Sequence, residues 1–350
     1  MFFASDNSGP VPQQVLDALA SANTGYQSSY GADTIMDEVR DQIRDIFEAP
    51  EAAVYLVATG TAANALALAT MCEPFDTVFC SPVAHIHEDE CNAPEFYTGG
   101  AKLTLVGESD KIGLDALRRS IEGEGTRGVH GPQRGPVSIT QVTEKGRVYS
   151  VDEIRGICDL AKSYGLSVHL DGARFANAMV ALGCTAAEMT WKAGVDAVSF
   201  GGTKNGLMGV EAVIFFDPKL AWEFELRRKR GAHLFSKHRY LSAQMQAYLK
   251  DGLWLDMAAK ANTNAAHLIA GLREIDAVEF VFEPNANLMF VRMPRAYHQA
   301  VLSQGAMYHL SHGDLGGDPD EVLESRFVCD WSIEIGQIDR FLGLLKAVNA

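Results

Sequence analysis

From about residue 36 to residue 215 the chain alternates two kinds of apolar spacing. MDEVRDQIRDIF, TAANALALATM, LDALRRSI and VDEIRGICDLAKSYG return an apolar residue every three or four positions, the period of a helix with a buried stripe. AVYLVAT, DTVFCSP, KLTLVG, PVSITQV, SVHLDGA, DAVSFGG and EAVIFF are short and apolar at consecutive positions, as strands covered on both faces are. Strands alternating with helices imply parallel crossovers. Beyond residue 218 the rhythm changes to helical stretches over 219–230 and 239–275 and strand-like VEFVFE and LMFVRM. A helix near 295–304, a strand in ESRFVCDW and a closing helix in IGQIDRFLGLLKAVN follow. The pattern predicts an α/β protein with a mostly parallel sheet and helices on both faces in a large domain, residues 1–245. A smaller C-terminal α+β domain is expected over 246–350. EGEGTRGVHGPQRG at 122–135 reads as a surface loop.

Composition narrows the function. With 350 residues, 47% of them hydrophobic and 21% charged, the chain supports a sizeable core, and disorder is not expected. Acidic residues outnumber basic ones 45 to 30, and a net charge of −15 opposes binding to nucleic acid or an anionic membrane surface. The six cysteines, at 72, 80, 91, 158, 184 and 329, show no C-x-x-C spacing, which suits a reducing compartment. MFFASDNSGP lacks the basic and apolar regions of an export signal, and no membrane-spanning apolar run follows. A cytoplasmic protein acting on a small molecule is the expectation.

In an open parallel sheet ligands gather at the carboxyl ends of the strands. One such end reads Thr59-Gly60-Thr61 before an Ala- and Leu-rich helix: free N–H groups at a helix start suit a phosphate, although a simple helix cap has the same look. Asp171, at the end of SVHLDGA, can hold a proton on a heteroaromatic nitrogen or cap the next helix. Lys204 lies in a glycine-rich turn between two apolar runs, where desolvation frees an amine for Schiff-base chemistry; an exposed turn is the plainer alternative. His85 and His87, followed by Glu88, Asp89 and Glu90, offer metal ligands or an imidazole stacked on a planar ligand. No third metal ligand follows from the spacing, and no metal is assigned.

The order of these features, an anion seat, an imidazole, a carboxylate and a lysine 33 residues further on, is that of pyridoxal phosphate enzymes of the aspartate-aminotransferase fold type. Within them the chain resembles the L-threonine aldolase family, in its low-specificity and phenylserine-aldolase-like branch. FASDNSGP, YGAD, VATGTAAN, AHIHEDE, HLDGARFANA, SFGGTKNG and SRFVCDW carry the resemblance. It implies that Lys204 holds pyridoxal 5′-phosphate as a Schiff base, Asp171 pairs with the pyridine nitrogen, Gly60 and Thr61 seat the phosphate, and His85 stacks on the ring. It further implies that Ser5, Arg174 and Arg326 hold the amino-acid carboxylate, with arginine geometry essential to the clamp, and that Tyr30 stands near the substrate. In the family a basic segment of a neighbouring subunit helps hold the phosphate. RRKRGAHLFSKHR at 227–239 is similar to it, and Arg228 and Lys229 are its candidates. A homodimer or homotetramer with the active site at the subunit interface is implied.

The implied reaction is retro-aldol cleavage of L-threonine or a related β-hydroxy-α-amino acid, such as phenylserine, to glycine and an aldehyde. One departure bears on the base: where better-known bacterial members read E-N-T-H-N-G, this chain reads Gln141-Val142-Thr143-Glu144-Lys145-Gly146. His85 is the expected base for the β-hydroxyl, and Glu144 the alternative. Phe96 and Tyr97 are expected to shape a pocket for an aryl side chain. β-Elimination or racemisation with the same cofactor are close rivals. A nicotinamide-dependent oxidoreductase is a distant one, since G-x-G-x-x-G is absent; a scaffold has no reason to assemble Lys204, Asp171 and Arg326.

Overall fold

The structure, a computed structural model, describes residues 1–349. Its main sheet contains β1 (Ala53–Val57), β2 (Asp76–Cys80), β3 (Lys102–Leu105), β4 (Gln133–Thr140), β5 (Val168–Gly172), β6 (Ala197–Gly201) and β7 (Glu211–Phe215), in the order β1-β7-β6-β5-β4-β2-β3. All neighbours run parallel except β7, which is antiparallel to both β1 and β6. The segment joining β6 to β7 is too short for a crossover, so the chain turns back on itself there. Every residue of β5, β6 and β7 is buried, which is why their sequences are apolar on both faces.

On one face the helix Gly60–Met71 buries Ala62 through Thr70 between the sheet and the helix Ala221–Arg230; its small side chains permit the close approach. On the other face lie the helices Thr34–Ile46, Val151–Ser163 and Arg239–Leu249, within the largest core. Asp33 caps the first of these through Met36 N–H at 3.0 Å, and a Ser150/Glu153 capping box starts the second.

A second, antiparallel sheet orders β10 (His309–Leu310), β11 (Val322–Val328), β9 (Leu288–Pro294) and β8 (Glu279–Phe280). Its core includes Leu268, Leu272, Met289, Val291, Phe327 and Phe341. Phe3 joins this core, its ring 4.9 Å from Phe341, and so pins the first residues beside the main sheet's loops. The helical stretch expected over 239–275 is two helices, Arg239–Leu249 and Leu253–Leu272, because Asp251 (φ 53°) and Gly252 (φ 77°) take left-handed conformations between them. The second helix serves both cores, through Trp254 and Met257 at one end and Leu268 and Leu272 at the other. Most of 122–135 is exposed loop, its last three residues opening β4. No helix among the described residues is long and apolar enough to cross a membrane.

Candidate active site

The loops that follow β1, β2, β4, β5 and β6 converge at the carboxyl edge of the parallel strands. Two adjoining cavities, of about 480 and 430 Å³, open there. Asn7, His85, Asp89, Glu144, Arg174 and Lys204 line both.

The first cavity holds the anion seat. Thr59 caps the helix Gly60–Met71, accepting the Ala62 N–H at 3.2 Å, and Gly60 and Thr61 present the helix's first N–H groups beside it. Across the cavity the Thr203 hydroxyl is buried without a partner. Asp171, on β5, accepts the Asn64 amide at 2.8 Å on one oxygen and the Ala173 N–H at 3.0 Å on the other. The cap of the next helix, Phe175–Leu182, is Arg174, so capping does not account for Asp171.

Lys204 sits on a short helical turn, Thr203–Asn205, and is partly buried. Burial, and then Arg174, lower its ammonium's pKa. The turn is fixed from below: Asn205 donates to the Tyr248 hydroxyl and the Trp254 carbonyl, both at 2.8 Å, and Tyr248 donates to Gly201 O at 3.2 Å. Glycine is required at its entrance, since a Cβ on Gly201 would stand 2.4 Å from Ala173 O and one on Gly202 2.6 Å from Val210 O. Glu211, buried at the start of β7, accepts the Gly202 N–H at 2.6 Å, and burial pushes its carboxyl up to about 7.

The second cavity gathers Ser5, Arg174 and Arg326 from three distant segments. One edge of the Arg174 guanidinium is taken by the buried Asp6, at 2.7 and 3.0 Å, and Asn287 donates to the same carboxylate at 3.2 Å. Arg326 donates one Nη2 hydrogen to Ala4 O at 3.0 Å, while its Nε is buried without a partner. The two arginines are therefore not equivalent: Arg174 is bonded along one edge by Asp6, whereas Arg326 has a single protein contact.

His85 lies in a one-turn helix, His85–Glu88. Two glutamates hold it. Glu144 accepts the His85 backbone N–H and the Thr140 hydroxyl, both at 2.8 Å, on one oxygen; its other oxygen is buried without a partner, and burial pushes the carboxyl up to about 7. Glu90 accepts the ring Nδ1–H at 2.8 Å, which raises the imidazole's pKa against the opposing effect of burial. Among the described residues no group of three or more His, Cys, Asp and Glu is placed to hold a metal ion.

Several expected residues stand elsewhere. Arg228 faces the interior of its own chain, 5.0 Å from the centre of the Tyr55 ring and donating to Leu56 O at 3.3 Å, so its side chain does not offer itself to a neighbouring subunit. Lys229, one position on, is exposed over the ring of Tyr30, and Tyr30 lines neither cavity. Phe96 is exposed and Tyr97 bonds Gly231 O at 3.4 Å, against the helix Ala221–Arg230; neither shapes a pocket at the sheet edge. Sequence reasoning passed over Asp6, Asn64 and Glu211, and offered Glu90 only among the acids beside a metal-ligand pair. Asn64 and Glu90 lie inside the motifs VATGTAAN and AHIHEDE, and a lone amide in the buried face of an Ala/Leu helix was the signal available.

The donors fit pyridoxal phosphate: free helix N–H groups and an orphaned hydroxyl for the phosphate, a carboxylate for the pyridine nitrogen and a desolvated lysine for the aldehyde. Comparison with known proteins agrees. Residues 3–295 match the beta-eliminating lyase family. The chain is 39% identical to the low specificity L-threonine aldolase of a Pseudomonas strain, over 99% of this chain and 97% of that protein. It is 38% identical to the low specificity L-threonine aldolase of Pseudomonas aeruginosa, over 96% and 94%. The solved structure of Leishmania major threonine aldolase superposes with a TM-score of 0.91 at 25% identity, covering 100% of this chain and 99% of that one.

Proposed function

The chain belongs to the beta-eliminating lyase family, among its low-specificity L-threonine aldolase members, and from that premise we propose that it cleaves L-threonine and related L-β-hydroxy-α-amino acids to glycine and an aldehyde with bound pyridoxal 5′-phosphate. One observation carries the reading. Lys204 stands on the wall common to two cavities, one holding the Thr59–Thr61 anion seat and Asp171, the other Ser5 and Arg326. A cofactor in the first and an amino acid in the second meet at that lysine.

When bound, the cofactor supplies covalent attachment for the substrate amine and a sink for the electron pair released as Cα–Cβ breaks. The protein does the rest. Lys204 would hold the cofactor between turnovers, and its lowered ammonium pKa suits it to hand a proton to Cα once Cα–Cβ has broken. Asp171 keeps a proton on the pyridine nitrogen. Arg326, with Ser5 and the free edge of Arg174, would grip the substrate carboxylate and thereby fix the orientation of the bonds at Cα. His85 takes the β-hydroxyl proton as the aldehyde forms. Glu144 is a holder of His85 rather than the base, since one of its oxygens is spent on the His85 N–H and Thr140 and the other is enclosed.

The protein works as a cytoplasmic homodimer or homotetramer. Exposed Met208 and Phe235 beside the mouth of the first cavity support an interface there, and Lys229, exposed where Arg228 is buried, is the candidate of that pair left to meet a neighbour's phosphate. The test supplies the loaded enzyme with L-threonine and with L-phenylserine. Stoichiometric glycine with acetaldehyde or benzaldehyde is expected. Ammonia and a 2-oxo acid without glycine would favour β-elimination and overturn the proposal.

A further inference from the structure

We infer that Glu90 and Asn64 are positioning residues that give His85 its proton-accepting form and tie it to the pyridine-pairing carboxylate of Asp171. The inference rests on the aldolase reading above and assigns roles to two residues that act through His85 and Asp171.

The geometry is a chain of short contacts. Glu90 is buried, and one of its oxygens accepts both the His85 Nδ1–H and an Asn64 amide hydrogen at 2.8 Å. The same Asn64 nitrogen donates to Asp171 at 2.8 Å. An amide NH2 has two hydrogens, and here both go to carboxylates, so one side chain screens two buried like charges from each other. The amide cannot be turned over, because its oxygen would then face two anions. The Asn64 oxygen and the second Glu90 oxygen have no protein partner, so neither residue is held by a competing contact.

The consequence falls on His85. With Nδ1–H committed to Glu90, the lone pair resides on Nε2. The β-hydroxyl proton passes from oxygen to Nε2 as the aldehyde carbonyl forms; the Nδ1 proton stays where it is, and the Glu90 carboxylate faces the resulting imidazolium. Asp171 favours the charged ring and Lys204 opposes it, while Glu144, Asp89 and Arg174 line the same cavities. Glu90 is the one among these that bonds the ring itself.

Two readouts test this, one independent of turnover. In cofactor-free protein labelled with ¹³Cε1-histidine, the His85 resonance, assigned by its loss in His85→Asn, is expected to titrate about one pH unit lower in Glu90→Gln than in wild type. In the loaded enzyme the ascending limb of kcat/KM against pH should move down with it. The plateau of kcat should fall by about 100-fold while KM for threonine holds within about threefold. Glu90→Asp should restore the wild-type limb in part. Asn64→Ala should shift the pH titration of the cofactor's visible band, since Asp171 loses a donor. An unmoved His85 titration in folded Glu90→Gln overturns the inference, as does an unmoved limb. Failure of the enzyme to release glycine at all would instead sink the aldolase reading, leaving the resonance titration to judge the Glu90 contact.

Discussion

Replacing Asp6 by Asn isolates the interaction on which the second cavity depends. The Asp6–Arg174 pair is almost closed to water, its side chains 1% and 12% exposed, and is bonded through two contacts of 2.7 and 3.0 Å. Burial alone raises the Asp6 carboxyl, but the Arg174 guanidinium first, then the Lys204 ammonium and the Asn287 amide, hold it below the usual carboxylate range. Removing one member of a buried pair leaves an uncompensated charge, at a cost of about 3 kcal/mol. For a chain of 350 residues, unfolding entropy near 2.1 cal/mol/K per residue turns that cost into a fall in Tm of about 4 °C. The assay is thermal unfolding of cofactor-free protein by circular dichroism at fixed protein concentration. Because the folded pKa lies below the unfolded one, the pair's contribution is complete above the unfolded pKa of about 4 and is lost as pH falls through the folded value. The gap between wild type and variant should therefore be constant from pH 8 to pH 6 and close only in strong acid. Asp6→Asn with Arg174→Met, which removes the stranded charge, should recover at least half of the loss. A gap below about 1 °C at pH 7, or a double variant no better than the single one, would refute the reasoning.

Arg326→Lys should raise KM for threonine about tenfold or more with a smaller change in kcat, measured by steady-state kinetics, because a lysine replaces a planar two-point donor by a point charge. Gly201→Ala forces a Cβ to within 2.4 Å of Ala173 O, so the ends of β5 and β6 must part and Asp171 and Lys204 with them; cofactor affinity by equilibrium dialysis should drop about tenfold. His169 is wholly buried between the Ser138 and Ser199 hydroxyls, both at 3.0 Å, and burial pushes it down to about 4. The unfolded chain takes up this proton first, so stability should decline from pH 6.5 to pH 4 by roughly 3 kcal/mol in all, a slope that denaturant titrations of His169→Gln should lack.

The inner strands of the main sheet were legible because burial on both faces leaves uninterrupted apolar runs, and Lys204 and Asp171, at or just past their ends, stand out by interrupting that pattern. The break at Lys250-Asp251-Gly252 was hidden because apolar periodicity resumes in step on its far side. β8, Glu279–Phe280, lies inside the predicted run VEFVFE, whereas β10, His309–Leu310, is too short to leave a pattern. The one-turn helix carrying His85 is set by tertiary contact, its first N–H satisfied by Glu144 from another loop, and no local propensity announces it. The basic cluster at 227–230 shows why composition misleads: Arg228 follows the buried Phe224 by one helical turn and faces inward with it, whereas Lys229 faces solvent. Asp6 gave no signal, since its partner lies 168 residues away.

The claim that the cofactor is held by Lys204 on the wall between the two cavities is tested most directly by borohydride reduction of the loaded enzyme, followed by proteolysis and mass spectrometry. The account predicts loss of visible absorbance and a pyridoxyl phosphate adduct on the peptide containing Lys204. An adduct on Lys145 or Lys229 instead, or none at all with full absorbance retained, would contradict it.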